Sequence, residues 1–279
     1  MLDIVVGLLC SGLIAGAAYL KKSLSASGFA AAVAVGTLLY AFGSLAWFGT
    51  LIFFFITSSV LSKWKHARKA AAESGYAKSG RRDAGQVLAN GGIGVLLCLG
   101  YAMWPHPGWW AAFIGVMATV TADTWATEVG GLSSAPPRSI ISLKKVEPGT
   151  SGGVTLLGLL ASAAGGLCIG AVAWLLIAVN PAQPAAGVPV DGAAATLMLI
   201  GLAGGLAGSL ADSWLGAVCQ VMYRCQVCGK DIEKNRHCSA AAVRTRGFAW
   251  MTNDAVNAIS SVTGGIVAIA LYESLGSLL

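Results

Sequence analysis

Residues 2–20, with the sequence LDIVVGLLCSGLIAGAAYL, form an almost uninterrupted apolar run that ends at Lys21 and Lys22. A run of about 20 apolar residues is long enough to cross the hydrocarbon core of a bilayer as an α-helix. A secretory signal peptide carries its basic residues before the apolar segment, whereas here they follow it. We therefore expect a retained transmembrane helix whose N-terminus lies outside the cell.

The same apolar composition continues through the chain. Of its 279 residues, 56% are hydrophobic and only 11% are charged, and the mean hydropathy is +0.72. Soluble domains carry about 25% charged residues. This composition excludes a soluble globular protein, because no core of this size could hide so much apolar surface from water. The 37 glycines follow no Gly-X-Y period and are typical of membrane helices that pack closely.

Further apolar runs of suitable length predict seven more helices. The eight segments are 2–20, 27–43, 46–62, 84–103, 109–128, 152–179, 193–219 and 253–275. We therefore predict an all-α polytopic membrane protein of about eight transmembrane helices, in a single integral-membrane domain spanning 1–279. Segment 152–179 is long and Gly-rich, and its path can be tilted, kinked or partly re-entrant.

The distribution of positive charge predicts the topology. All 18 basic residues lie in four clusters, at Lys21–Lys22, Lys63 to Arg82, Arg138 to Lys145 and Arg224 to Arg246. Cytoplasmic loops are enriched in Lys and Arg. We therefore expect cytoplasmic loops near 63–82, 129–151 and 220–252, with both termini outside. The net charge of +6 follows from this asymmetry, so the expected partners are membrane lipids rather than nucleic acid.

Two outer connections separate the basic clusters. One runs from Pro105 to Gly108, and the other from Asn180 to Gly192. Trp104, Trp109 and Trp110 flank the first connection and are predicted to be interfacial anchors.

Ionisable residues inside membrane helices cost roughly 2.5–3.5 kcal/mol each near the bilayer centre, so they are candidate functional residues. On the predicted topology they gather at the inner membrane boundary, together with neighbouring amides. The set is Asp83, Asn90, Asp123, Glu128, Asp212, Asn253, Asp254 and Asn257. Asp83 and Asp254 open predicted helices, where a carboxylate can equally act as a cap or a dipole partner.

Asp123 and Asp212 lie towards the C-termini of their predicted helices, where the helix dipole disfavours a carboxylate. They occur in similar blocks, ADTW at 122–125 and ADSW at 211–214. This similarity is either a weak internal repeat or chance resemblance between small-residue helices. Two such carboxylates need a cationic partner. A shared Mg²⁺ is the preferred interpretation, and a structural pair with Lys or Arg is the alternative.

Residues 147–153, EPGTSGG, directly precede the predicted helix 152–179, and Arg138, Lys144 and Lys145 lie just upstream. Small residues let backbone N–H groups approach an anion, and a helix N-terminus adds a favourable dipole. This pattern predicts a phosphate site, although such a segment can also be a simple turn. The residues of the site would be Gly149, Thr150, Ser151, Gly152 and Gly153.

A Cys-x₂-Cys pair, Cys225 and Cys228, is followed by the adjacent pair His237 and Cys238. Zinc ribbons use such pairs, and four zinc ligands are available here. Adjacent residues do not easily reach one ion, so reduced cytoplasmic thiols are the alternative. A disulfide is not expected on the cytoplasmic side.

The chain resembles the integral-membrane family that contains plant chloroplast phytyl-phosphate kinases and animal transmembrane protein 19, and the resemblance covers most of its length. The residues that carry it are Gly80 to Asp83 with Asn90 to Gly92, Ala122 to Gly130, Pro137-Arg138, Pro148 to Gly153, Ala211 to Ser213, Cys225 to Cys228, His237-Cys238 and Asn253 to Asn257. A looser similarity extends to CTP-using dolichol and phytol kinases, with Ala122 in place of a Gly and Pro148 within their Glu-Gly step.

The resemblance implies an isoprenoid-lipid monophosphate kinase at the cytoplasmic face. It would convert phytyl- or polyprenyl-phosphate to the diphosphate with Mg²⁺ and a nucleoside triphosphate, CTP by the looser similarity. The residues expected to take part in catalysis are Asp123, Glu128, Asp212, Arg138 and Lys144. Those expected to bind the co-substrate are Arg82, Asp83, Asn90, Gly149, Thr150, Ser151, Gly152, Gly153, Asn253, Asp254 and Asn257. Asp123, Asp212 and Asp254 would hold Mg²⁺.

Two other functions remain open at this point. One is cytidylyl transfer to a lipid phosphate, which needs much the same residues. The other is a transporter or flippase for a lipid phosphate or an ion, which the repeat and the abundant glycine favour.

Overall fold

The computed structural model describes residues 1–64, 80–180 and 193–276. Most of the predicted loop 63–82 and of the outer connection Asn180 to Gly192 lies outside the described residues. The helices within them are α1 (Leu2–Leu20), α2 (Ala26–Leu38), α3 (Leu45–Lys63), α4 (Ala84–Met103), α5 (Pro107–Gly130), α6 (Leu156–Val179), α7 (Ala193–Val218) and α8 (Asn253–Gly276). A π-helical turn, Leu39–Gly43, extends α2. The eight predicted helices are therefore confirmed.

The start of α6 differs from the prediction. The helix begins at Leu156, not at Gly152, because Gly153–Val154 (β2) pairs antiparallel with Arg138–Ser139 (β1). Thr155 then caps the helix, and its Oγ1 accepts a hydrogen bond from the Gly158 N–H at 3.0 Å. A strand and a cap thus separate the Gly-rich turn from the helix that was predicted to follow it directly.

Helix α5 lies at the centre of the bundle. Every residue from Trp110 to Ala122 is buried, and α5 packs against α3, α4, α6, α7 and α8. The other seven helices are long and apolar enough to cross a membrane, and α5 is not among them. Because protein rather than lipid surrounds α5, it tolerates the threonines and carboxylates that lower its hydropathy.

Glycines bring the later helices into backbone contact. A Cβ added to Gly166 of α6 would lie 2.4 Å from the carbonyl oxygen of Gly201 of α7, and one on Gly201 would lie 2.3 Å from that of Gly166. A Cβ on Gly115 of α5 would lie equally close, at 2.4 Å, to the carbonyl oxygen of Gly264 of α8. The predicted role of glycine in close helix packing is therefore confirmed at these positions.

The helix ends that carry basic residues meet at one end of the bundle. The Arg82 N–H donates to the Ser23 carbonyl at 2.9 Å, and the Ser25 N–H donates to the Arg82 carbonyl at 3.0 Å. Lys63 Nζ donates to the Lys21 carbonyl at 2.8 Å. We call the end where Lys21, Lys63 and Arg82 meet the basic end.

The predicted loop 220–252 contains a small antiparallel sheet that the sequence pattern did not indicate. Its strands are β3 (Met222–Cys225), β4 (Asp231–Ile232), β5 (Arg236–His237) and β6 (Ala240–Arg246), in the order β4-β3-β6-β5. Two of the strands have only two residues each, which is too short for an alternating apolar pattern to be visible. The all-α prediction holds for the helical bundle, and the sheet is an addition to it.

The three tryptophans predicted to be interfacial anchors lie in different surroundings. Trp104 is exposed, and its carbonyl accepts a hydrogen bond from Trp109 Nε1 at 3.0 Å. Trp110 is fully buried, and its ring centroid lies 5.0 Å from that of Trp47 and 5.4 Å from that of Phe113. The predicted anchoring role of Trp110 is therefore wrong, since this ring belongs to the core of the bundle.

We expect Gly166→Ala to lower the thermal unfolding midpoint of the detergent-solubilised protein. The added methyl group would meet the α7 backbone, and overpacking of this kind typically costs about 1–3 kcal/mol. Gly12→Ala is the matched control, because no heavy atom lies within 4 Å of an added Cβ there. Equal midpoints for the two variants would contradict the assigned contact.

Candidate functional site

A cavity of about 440 Å³ opens at the basic end of the bundle. Most of the predicted site residues line it, although they come from distant parts of the sequence. They are Arg82, Asn90, Asp123, Glu128, Asp212, Gly149, Thr150, Ser151, Gly152, Gly153, Asn253 and Asn257. A cavity of this volume falls within the usual range of small-molecule and cofactor sites.

Two carboxylates from adjacent helices, Asp123 of α5 and Asp212 of α7, share this cavity. Ser260 Oγ donates to Asp212 Oδ2 at 2.9 Å, and the Asn257 amide, with its nitrogen facing the carboxylate, donates to the same oxygen at 3.1 Å. Neither carboxylate forms an ion pair with any Lys or Arg of the described ranges. The alternative of a structural Lys or Arg partner thus finds no support in that part of the chain.

Small residues of α6 bring the two carboxylate-bearing helices together. Ser162 Oγ donates to the Ala122 carbonyl at 3.2 Å and lies 3.0 Å from Ser209 Oγ of α7. A Cβ on Gly165 would lie 3.2 Å from the Ala122 Cα, which shows how closely α6 approaches α5. The similar blocks at 122–125 and 211–214 therefore lie on neighbouring helices and face one cavity.

Glu128 and Arg82 line another part of the cavity wall. Ser62 Oγ donates to Glu128 Oε1 at 2.5 Å, which joins the C-terminal ends of α3 and α5. Burial lowers the pKa of the Arg82 guanidinium, and the negative charge of Glu128 acts in the opposite direction. The pair thus places a cation and an anion at the same wall.

Arg82 is held by polar and aromatic contacts. Its Nη1 donates to Ser59 Oγ at 3.1 Å. The guanidinium carbon lies 5.8 Å from the ring centroid of Phe54 and 5.7 Å from that of Phe55, within the range of cation–π attraction. These contacts fix the direction of the side chain at the cavity edge.

The Gly-rich turn needs glycine at two positions. Gly149 has φ +85° and Gly152 has φ +80°, in the left-handed region that other residues rarely adopt. A Cβ on Gly152 would also lie 2.4 Å from the Ala217 Cβ of α7. Thr150 is held within the turn, since its N–H and its Oγ1 donate to the Glu147 carbonyl at 3.1 and 2.7 Å. The turn thus lines the cavity close to the first residues of α6.

Four predicted residues do not line the cavity. Arg138 Nη1 donates to the Leu143 carbonyl at 2.8 Å and closes the turn after β1, and Lys144 is exposed on the same turn. Asp254 lies in the first turn of α8. Asp83 caps α4, as its Oδ1 accepts from the Gln86 N–H at 2.9 Å while Gln86 Oε1 accepts from the Asp83 N–H at 3.2 Å.

Sequence reasoning missed several polar residues of the cavity wall. They are Lys22, Ser59, Ser62, Lys63, Gln220 and Glu233. The two lysines were used only to predict the topology. The same topology places them at one end of the bundle with the carboxylates, and this could have indicated that they belong to the site. Gln220 lies between α7 and β3, and Glu233 directly follows β4, so no local sequence pattern could have identified them.

The predicted zinc ligands are brought together outside this cavity. The ligand atoms of Cys225, Cys228, His237 and Cys238 lie within 4.8 Å of one another. The pKa of the Cys225 thiol is lowered to about 6, chiefly by a hydrogen bond from the Cys228 backbone and then by His237. Burial raises the pKa of the Cys238 thiol to about 11.

A narrow apolar cleft of about 50 Å³ adjoins the polar cavity. It runs between α1, α2, α3 and α4, and Arg82, Gln86 and Asn90 line both spaces. The remaining cleft wall is largely apolar and includes Ala32, Val35 and Phe54. The two spaces together therefore offer a polar compartment and an apolar one.

We expect Asp83→Asn to leave the thermal unfolding midpoint close to that of the wild type, because Asn is as good an N-cap as Asp. Asp83→Ala should lower the midpoint, since loss of an N-cap typically costs about 0.5–2 kcal/mol. Equal destabilisation by both substitutions would indicate that the carboxylate charge, rather than the cap, is required.

Comparison with known proteins agrees with this architecture. The chain is 33% identical to Protein PGR of Arabidopsis thaliana over 92% of each chain. It is 29% identical to an uncharacterized membrane protein of Methanocaldococcus jannaschii, over 92% of this chain and 90% of that one. It is 27% identical to Protein VTE6, chloroplastic, of Arabidopsis thaliana, over 93% of this chain and 68% of that one. No solved structure matches. The family model described as integral membrane protein DUF92 matches residues 9–265, so the chain belongs to this family of multi-pass integral membrane proteins.

Proposed function

We propose that this protein is an isoprenoid-lipid monophosphate kinase. It would transfer the γ-phosphoryl group of a nucleoside triphosphate to phytyl- or polyprenyl-phosphate. The observation that carries the proposal is one cavity that brings together Asp123, Asp212, basic side chains and a Gly-rich turn, adjoining an apolar cleft. The resemblance to the family of phytyl-phosphate kinases supports the same reaction.

The residues present fit a magnesium ion. Mg²⁺ prefers oxygen ligands and is commonly bound by one or two carboxylates together with substrate phosphates. Asp123 and Asp212 supply two carboxylates in one cavity, and neither has an ion-pair partner within the described ranges. When bound there, Mg²⁺ would neutralise charge on the phosphate oxygens of the co-substrate. Asp254 opens α8 away from the cavity lining, so we do not retain it as a ligand.

Basic side chains and backbone groups would position the phosphates. Lys22, Lys63 and Arg82 line the cavity with the Gly-rich turn, and phosphate binding generally uses such cations together with backbone N–H groups. Because the three cations come from separate segments, they can contact different phosphates of the two substrates. Arg138 and Lys144 lie outside the lining, so this role passes from them to Lys22 and Lys63.

The transfer itself requires no proton acceptor. A phosphate monoester has its second pKa near about 6, so it is largely dianionic at neutral pH. One of its oxygens would attack the γ-phosphorus while the bond from that phosphorus to the β,γ-bridging oxygen breaks. The bridging electron pair leaves with the nucleoside diphosphate, and the product is a lipid diphosphate. Catalysis then consists of positioning and charge neutralisation, for which the cavity residues are suited.

The apolar cleft supports an amphiphilic substrate. Arg82 and Asn90 stand where the polar cavity and the cleft meet, so a phosphate headgroup in the cavity would direct an attached chain into the cleft. The cleft is narrow, and the chain would continue between the helices into lipid. A water-soluble phosphate would leave this compartment unused.

The position of the cavity favours an enzyme over a transporter. Transporter sites usually lie near the bilayer midplane, whereas this cavity lies where helices end and loops begin. Cytidylyl transfer would use the same residues but would release pyrophosphate and form a CDP-lipid. The choice of CTP as donor rests on the looser family similarity.

We expect purified protein in lipid, supplied with Mg²⁺ and a nucleoside triphosphate, to convert an isoprenyl monophosphate to its diphosphate. Asp123→Asn and Asp212→Asn should each lower the rate by at least about 10²-fold, a typical loss for one charge-stabilising group. Product masses after incubation with each of the four nucleotides would measure this.

Asp3→Asn is the matched control, because Asp3 is exposed at the start of α1. Thermal unfolding of every variant shows whether it is folded. A CDP-lipid product would show that the protein is a cytidylyltransferase and not a kinase. Diphosphate formation by Asp123→Asn at the wild-type rate would show that Asp123 does not bind a required metal. Transport into sealed vesicles without nucleotide turnover would establish the transporter instead.

We expect Ala32→Leu to raise the KM for phytyl phosphate by about tenfold, equivalent to about 1.4 kcal/mol. Its larger side chain would fill the cleft, while the KM for a five-carbon isoprenyl phosphate should change little. Ala34→Leu places the same side chain on the exposed face of α2 and is the control. Equal effects of Ala32→Leu on both substrates would show that the cleft does not hold the tail.

A further inference from the structure

A cluster of three cysteines and one histidine lies within the four-stranded sheet. The ligand atoms of Cys225, Cys228, His237 and Cys238 are all within 4.8 Å of one another. His237 Nδ1 lies 3.5 Å from Cys228 Sγ and 3.2 Å from Cys238 Sγ. Tetrahedral zinc, with Zn–S about 2.3 Å and Zn–N about 2.0 Å, separates its ligand atoms by about 3.5–3.8 Å. The observed spacing is therefore close to that of one tetrahedral site.

The first ligand pair lies in a tight turn. The Cys225 thiol donates to the His237 carbonyl at 3.8 Å, which joins this turn to the second ligand pair. The Gly229 N–H donates to the Cys225 carbonyl at 2.9 Å, and Gly229 has φ +73°. A Cys-x₂-Cys pair in such a turn has the spacing that structural zinc sites use.

The second ligand pair consists of adjacent residues, which do not easily reach one ion in ordinary backbone conformations. His237 faces Ala240 across the hairpin, so Cys238 and Ser239 form a two-residue turn. Their φ values are +49° and +61°, and positive φ at both central residues is the requirement of a type I′ turn, usually met by Asn-Gly. Neither residue here is glycine, so the conformation is costly. It turns the Cys238 sulfur back towards the His237 ring, and both can then reach one ion.

The sheet is too small to be stabilised by its own core. Strands β4 and β5 have two residues each. Met222 and Ile232 are buried, whereas Val227 and Val243 are 65% and 55% exposed. Small units with little buried apolar surface usually need a metal or disulfides. We propose that Cys225, Cys228, His237 and Cys238 bind one structural Zn²⁺, which fixes both turns of this sheet.

The metal site would also hold one wall of the polar cavity. Glu233 lies between the two ligand pairs in sequence, and its Oε1 accepts from Gln220 Nε2 at 2.8 Å. Gln220 Oε1 accepts in turn from Ser151 Oγ of the Gly-rich turn at 3.1 Å. Zinc bound at the sheet would therefore help to position the Gly-rich turn, through the hydrogen bonds of Glu233 and Gln220. Metal binding itself does not depend on the proposed kinase activity.

The test is the metal content of the full chain, purified in detergent without chelators. We expect about one Zn²⁺ per chain. Cys228→Ser and Cys238→Ser should lower the zinc content by at least about tenfold, since even changes to groups around a metal ligand cost that much. Cys219→Ser is the matched control, because Cys219 is nearby in sequence and is not part of the cluster.

A second measurement, on wild-type protein, tests the proposal even if the serine variants fail to fold. Wild-type protein stripped of metal should bind one equivalent of Co²⁺ with the visible absorption of a tetrahedral thiolate site, and Zn²⁺ should displace it. Cys228→His, which keeps a ligand at that position, should retain metal. Zinc-free wild-type protein that gives no tetrahedral Co²⁺ spectrum would overturn the proposal. So would a Cys225–Cys228 disulfide found by mass spectrometry, or equal metal loss in Cys219→Ser.

Discussion

Two carboxylates within a bundle of membrane helices impose the main energetic constraint on this structure. Neither Asp123 nor Asp212 has a cation beside it in the described part of the chain, and each lies towards the C-terminal end of its helix, where the dipole is unfavourable. Hydrogen bonds from Ser260 and Asn257 satisfy only one of the two groups. The Mg²⁺ proposed above would supply the remaining compensation, and its binding would then stabilise the bundle as well as serve the reaction.

That constraint is met because the helices carrying the carboxylates can approach one another closely. Glycines at the contacts of α5, α6, α7 and α8 remove the side chains that would separate the backbones. Dispersion contacts between backbones then replace the hydrophobic effect, which gives no net attraction between helices in lipid. Close packing away from the basic end and an open cavity at that end belong to the same arrangement. The closely packed part fixes the positions of the polar groups that line the cavity.

Much of the fold followed from simple physical rules. The number of helices follows from the number of apolar runs, and their approximate bounds follow from the length of chain needed to cross a bilayer. The positive charges group the loops at one end. The two ADTW-like blocks were found because carboxylates are costly in lipid. The small sheet was missed because strands of two residues leave no periodic signal. Glu233 and Gln220 were missed for a related reason, since their place in the cavity depends on contacts between distant segments. Trp110 was misassigned because burial in protein and anchoring at an interface give the same composition near a helix end.

The enclosure of α5 has a consequence for membrane insertion. A helix leaving the translocon partitions into lipid according to its own hydropathy. Among the helices of the described ranges, the other seven are apolar enough to cross a membrane and α5 is not. Three of the helices that enclose it, α6, α7 and α8, are synthesised later. We therefore expect its stable placement to await them, with α3 and α4 as its earlier neighbours along the chain. Biogenesis of this protein would accordingly be cooperative across the C-terminal half, and a truncation after α5 would remove three of the helices that enclose Asp123.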